Sequence, residues 1–282
     1  MKTTTNYLIL NQACADLYRT LMESLHILSY RIGGRWFGGI VGLITCKFFL
    51  ANLFIPTIFS VWILPTIGVD RFYAVSRPFR SSPLSRHFKK IILILWIWSV
   101  VCSMEVCITG SLQKSKQDNF CDAIYFLQQK TAFYILTVSL NVFLPLVLTA
   151  VLYIIVCHKL WSREIPGEGT NQNQRQAEAM KTAKKVTRMM ITVVVLYVLC
   201  FGPFFVGSSL YHFDYVKVKS DVIFLCLFLI AFAYSALNPY IYVTFNQKYR
   251  NGFKTLLGNC LSKIKFCNIV HFRSQSVELQ QT

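Results

Sequence analysis

The sequence predicts an all-α membrane protein built as one helical bundle, and three observations lead there. Hydrophobic residues make up 54% of the 282-residue chain and charged ones only 15%, where a soluble chain carries about a quarter charged residues. The apolar residues gather into six blocks, roughly residues 6–30, 43–69, 91–112, 133–157, 186–211 and 222–242, each long enough for the ~20 residues that a bilayer crossing takes. Lys and Arg outside these blocks alternate from one connection to the next, 20 against 7. A closed barrel is excluded, because its strands are shorter and alternate polar with apolar residues.

Taken in order, the first block is the weakest, since Asp16, Arg19 and Glu23 interrupt it. The second, LITCKFFLANLFIPTIFSVWILPTIGV, has no charge after Lys47 and ends directly at Asp70 and Arg71. The third to sixth are continuous apolar runs. The 20-residue stretch WSREIPGEGTNQNQRQAEAM, residues 161–180, reads as a flexible loop from its Pro, Gly, Asn and Gln content, and KTAKKVTRMM continues the fifth block's helix. In the tail, Phe245, Tyr249, Phe253 and Leu256 recur at helical spacing while Lys248, Arg250 and Lys254 fall elsewhere. That pattern predicts a short basic amphipathic helix on the membrane surface. The organisation expected is a bundle over residues 1–245 and a cytoplasmic tail over 246–282.

The net charge of +17 would suit nucleic acid, but its alternation argues against that partner. The Lys- and Arg-rich connections are cytoplasmic by the positive-inside rule, which puts both termini on that side. A basic cytoplasmic face suits anionic membrane lipids and acidic partner surfaces. Ten cysteines show no zinc spacing. Cys14, Cys102, Cys107, Cys157, Cys200 and Cys226 lie within spans and read as small apolar residues. Cys46 and Cys121 fall at the outer, oxidising face, where a disulfide can form. Cys260 and Cys267 are juxtamembrane and suited to palmitoylation.

Residues costly in hydrocarbon point to function. Asp16 lies ~15 Å into its span. Its partner could be Ser60, Ser235 or Asn238, a buried cation, or a proton. Arg19 and Glu23, at i and i+4, can pair along one helix or face a ligand. Pro56, Pro65, Pro145, Pro203 and Pro239 each free a backbone carbonyl inside a span. Pro203 in CFGPFF and Pro239 in SALNPYIY carry more weight, because a kink, a polar group and an aromatic side chain together suit a bistable helix. The histidines are dispersed and no nucleophile, zinc or phosphate-loop motif appears, so an enzyme is not expected.

These residues resemble the rhodopsin-like, class A G-protein-coupled receptors over nearly the whole chain. VDRFYAV resembles the arginine motif of that family's third helix, NPYIY its last-helix motif, and CFGP its sixth-helix motif. LNQACADL, Trp96 with Ser99, and Pro145 with Tyr153 match further helices in order. The resemblance implies a disulfide between Cys46 and Cys121. It implies G-protein coupling through Asp70, Arg71, Phe72, Phe79, Tyr153 and Tyr242, and an activation switch of Cys200, Phe201, Pro203, Asn238, Pro239 and Tyr242. It also implies a sodium ion at Asp16, Ser60, Ser235 and Asn238 as an allosteric modulator; no other cofactor is expected. The family's second restraint, an acid at the base of the sixth helix, is missing from KTAKKV. Phe72, Phe201, Gln12 and Pro56 depart from the family pattern.

The fold so implied is a seven-transmembrane receptor bundle with six helices present. The chain begins at what resembles the family's first inner loop, which would make it an incomplete gene model or a truncated, non-signalling receptor. Leu53 stands where amine receptors carry an acid, which disfavours an amine. The ligand pocket would comprise Arg19, Glu23, Leu53, Thr57, Asn141, Phe204, Phe205, Ser208, Phe224 and Phe228. Similarity of the SALNPYIYVTFNQKYRNGF segment to neuropeptide receptors favours an extracellular peptide over a lipid or other small molecule. The partners are then that peptide, a heterotrimeric G protein and membrane lipids at the plasma membrane. A six-helix transporter or channel, the reading from another class, would show repeats or a polar stripe along several helices.

Overall fold

The computed structural model describes residues 4–31, 36–76, 82–109, 111–114, 119–122, 131–162, 171–213, 215, 221–245, 247, 250–255 and 258. These form α1 (Thr4–Arg31), α2 (Gly39–Ser76), α3 (Pro83–Thr109), β1 (Ser111–Lys114), β2 (Asn119–Asp122) and α4 (Thr131–Val138). A π-helical turn (Ser139–Phe143) follows, then α5 (Leu144–Trp161), α6 (Asn171–His212) and α7 (Asp221–Phe245). Among the described residues, five helical segments are long and apolar enough to cross a membrane: α2, Pro83–Glu105 of α3, the run Thr131–Trp161, Ala177–His212 of α6 and Cys226–Phe245 of α7. α1 has the length, at 28 residues, but its three mid-helix charges set it apart from the others.

Two compact units are distinguished, Met1–Asn238 and Pro239–Thr282, with the boundary inside α7. In the first, α2 is the central element and packs on α1, α3 and α5. It carries no charge between Lys47 and Asp70, and most of that stretch is buried, as a helix at the centre of a bundle requires. Pro56 and Pro65 lie inside it without interrupting it. Gly68 permits the close approach of α5, since a Cβ there would lie 3.3 Å from the Leu152 side chain. Phe59 stacks on Trp96 of α3 at 4.1 Å. The opposite face of α3 leaves Leu93, Ile94, Ile97 and Val101 exposed, as lipid contact requires. In the second unit, helical residues 250–255 carry the exposed Phe253 and Lys254.

Two features differ from the sequence reading. The expected loop 161–180 is helical from Asn171 onward. Gln, Arg, Ala, Glu and Met in NQNQRQAEAM are strong helix formers, and they extend α6 well before the apolar block begins. An antiparallel hairpin also lies between α3 and α4, with Leu112 opposite Cys121. Four-residue strands in a polar connection give no alternation long enough to read.

Candidate functional site

The outer end of α2 is fastened by a disulfide between Cys46 and Cys121, with Cα atoms 5.4 Å apart. It ties β2 to the helix. Around it Cys46, Leu50 and Leu53 form a buried cluster against Met22, Trp36, Phe49 and Phe54. The disulfide implied by the resemblance is therefore present.

On α1, flanking the Met22 of that cluster, lies a buried ion pair. Arg19 Nη2 is 2.6 Å from Glu23 Oε1, and Nε donates to the same oxygen at 2.7 Å. The residues are 4% and 2% exposed. Both contacts fall on one carboxylate oxygen, so Arg19 Nη1 and Glu23 Oε2 are buried without hydrogen-bond partners. The guanidinium lies 4.8 Å above the Phe201 ring. Phe201 in turn stacks on Tyr197 at 4.6 Å and on Phe205 at 5.8 Å. Phe204 meets Phe205 edge-on.

The remaining expected pocket residues are more scattered. Thr57 donates to the Leu53 carbonyl, as a hydroxyl within its own helix does. Asn141 Nδ2 donates to the Thr137 carbonyl at 3.2 Å, and its Oδ1 is buried without a partner. Ser208 lies 3.3 Å from the Tyr134 hydroxyl. Phe228 meets His26 edge-on. The Phe224 side chain lies outside the described residues, as do Phe79, Cys260 and Cys267.

Midway along α1, the Asp16 carboxylate accepts hydrogen bonds from three sides. Ser60 of α2 donates to Oδ1 at 3.1 Å, and Asn238 of α7 to Oδ2 at 2.9 Å. Gln12 donates to Oδ2 at 3.3 Å. Ser235, expected in this group, is buried but its hydroxyl has no hydrogen-bond partner. Its place at Asp16 is taken by Gln12, which reaches the carboxylate from one turn away on the same helix. Gln12 Oε1, Ser235 Oγ and Asn238 Oδ1 are buried oxygens with no partner. Hard oxygen donors beside a carboxylate fit a hard monovalent cation.

At the inner end of α2, Asp70 accepts from its neighbour Arg71 Nη2 at 2.8 Å and also from the Thr5 hydroxyl of α1. One carboxylate oxygen thus joins the arginine to a second helix. Arg71 Nε and the Tyr153 hydroxyl are buried without partners. Phe72 is capped by Lys159 of α5, whose Nζ is 4.6 Å from the ring centroid. Of the residues expected to form an activation switch, Cys200 and Phe201 are buried in the first unit; in the second unit Tyr242 is buried. Pro203 lies inside α6 and Pro239 inside α7.

The sequence reading did not find Thr5, Gln12 or Glu105 as site residues. Thr5 sits in a run of threonines with no distinguishing signal. Glu105, which accepts from Thr137 at 2.8 Å, carried one: a lone acid in the third span.

The neuromedin-K receptor of Cavia porcellus is 26% identical over 294 residues, covering 100% of this chain and 62% of that receptor. The substance-P receptor of Homo sapiens is 26% identical over 273 residues, covering 92% of this chain and 64% of that one. The substance-P receptor of Meriones unguiculatus is 27% identical over 270 residues, with 92% and 64% covered. The chain thus spans less than two thirds of the length of these relatives. All three are receptors by name. A sequence model described as 7 transmembrane receptor (rhodopsin family) matches residues 1–242. The match covers most of the chain, and the chain belongs to the rhodopsin family of seven-transmembrane receptors.

Proposed function

We propose that this chain acts at the plasma membrane as a receptor for an extracellular peptide and activates a heterotrimeric G protein. The observation that carries the proposal is the Asp70 carboxylate, shared between Arg71 and Thr5. It restrains the arginine at the inner end of α2 and links that restraint to α1. A charge-assisted hydrogen bond is strong enough to hold a resting state and weak enough to be exchanged for a contact with a partner. A ligand shifts such an equilibrium only through differential affinity for its two states.

The ligand end favours a peptide. Leu53 offers no counter-ion for an amine, while Arg19 Nη1 and Glu23 Oε2 present an unused donor beside an unused acceptor. A peptide group supplies both complements, and the ring faces of Phe201, Phe204 and Phe205 suit apolar side chains. The matched relatives are neuropeptide receptors. Asp16, Ser60, Ser235 and Asn238 would hold a sodium ion, which when bound neutralises the carboxylate. The donors Ser60, Asn238 and Gln12 orient that carboxylate between α1, α2 and α7.

The test is Arg71→Ala in cells, assayed with substance P and neuromedin K as first ligands. Surface expression and peptide binding should persist while ligand-stimulated nucleotide exchange disappears. Exchange at the native level would leave Arg71 as an anchor at the membrane boundary and remove the basis for coupling through it.

A further inference from the structure

The inner ends of α2, α5 and α6 meet in an apolar cluster. Val75, Val156 and Leu160 are buried there, with Phe72, Met180 and Ala183 packed against them. Cations cover aromatic rings on both sides of it. On the α2 side, Lys159 lies over Phe72 and donates to Ser76 Oγ at 3.0 Å. On the α6 side, Lys184 Nζ and Arg188 Cζ each lie 5.9 Å from the centroid of the Trp161 ring, at the last residue of α5.

Among the described residues, the ion pairs are Arg19–Glu23 and Arg71–Asp70, and neither reaches α6. Lys184 and Arg188 stand at i and i+4, a spacing at which like charges repel. The Trp161 indole, over which both lie, offers each the negative face of its quadrupole. Trp is also the side chain suited to this depth, where one part is apolar and the other wet.

We propose that Trp161 is a positioning residue that holds the inner end of α6 against α5 in the resting receptor, through the paired cations Lys184 and Arg188. Where the segment KTAKKV of α6 carries no acid, the ring of Trp161 makes the contact. It rests on the receptor reading for its consequence but not for its structural effect. Breaking it loosens α6 where a G protein would enter.

The experiment labels the exposed positions Ser162 and Lys181 with spin-labelled unnatural amino acids and measures their distance distribution in lipid nanodiscs. Trp161→Ala should widen and broaden the distribution, and ligand-free nucleotide exchange on purified heterotrimers should rise about two- to five-fold. Trp161→Phe, which keeps a weaker ring face, should fall between the two. Lys184→Gln with Arg188→Gln should match Trp161→Ala and add nothing to it. Formation of the Cys46–Cys121 bridge in each variant controls for folding. Distances unchanged in Trp161→Ala overturn the proposal, as does full additivity of the Gln variants. Widened distances without increased exchange uphold the contact and count against G-protein coupling.

Discussion

Two polar groups lie a turn apart on the same helix, and they are fastened in opposite ways. Asp16 takes its hydrogen bonds from Ser60, 44 residues away, and from Asn238, 222 residues away. Arg19 and Glu23 satisfy each other across four residues and leave an atom apiece unpaired. The first arrangement binds three helices together. Among the described residues, the second makes its hydrogen bonds within its own helix and meets another helix through the face of Phe201. A buried group with distant partners is a fastening, whereas one with only a local partner keeps capacity for a ligand. Hydrocarbon supplies neither with water, so the difference is decided by what the neighbouring helices present.

That contrast can be broken one residue at a time. The largest effect is expected from Arg19→Ala, which strands Glu23 as an unpaired buried charge. Thermal unfolding in nanodiscs should show a loss of about 3–5 kcal/mol. Asp16→Ala comes next. It leaves donors from Ser60, Asn238 and Gln12 without their acceptor, at a cost of about 1–3 kcal/mol by the same measurement. The smallest change in stability is expected from Arg19→Met with Glu23→Leu together, within about 1 kcal/mol of the native chain, because a removed pair leaves no orphan. The same double variant should weaken peptide affinity roughly ten-fold or more, since two hydrogen bonds to charged groups are lost. If instead the double variant unfolds as readily as Arg19→Ala, the pair is a fastening after all and the contrast fails.

Much of the bundle was legible in the sequence. Whether ~20 residues prefer hydrocarbon to water is a property of those residues alone, so blocks read at 133–157 and 222–242 fall within the helical segments Thr131–Trp161 and Asp221–Phe245. The Arg19–Glu23 pair was equally legible, because helical geometry by itself places i and i+4 side by side. The beginning of α6 was not. Asn171–Met180 is polar, and polarity alone does not separate an extended cytoplasmic helix from a loop. The disulfide came from resemblance, since the outer position of two cysteines leaves their pairing open.

The sequence by itself determined which segments enter the membrane, which residues are costly there, and which neighbours on one helix can pair. Only the tertiary structure decided that Gln12 and not Ser235 reaches Asp16, that Thr5 holds Asp70, and that two cations lie over Trp161. Each of those outcomes depends on how far a helix is turned about its axis and how deep it sits. Rotation and depth are set by packing summed along whole helices, such as the approach of α5 that Gly68 permits on α2. No local stretch of sequence contains that sum.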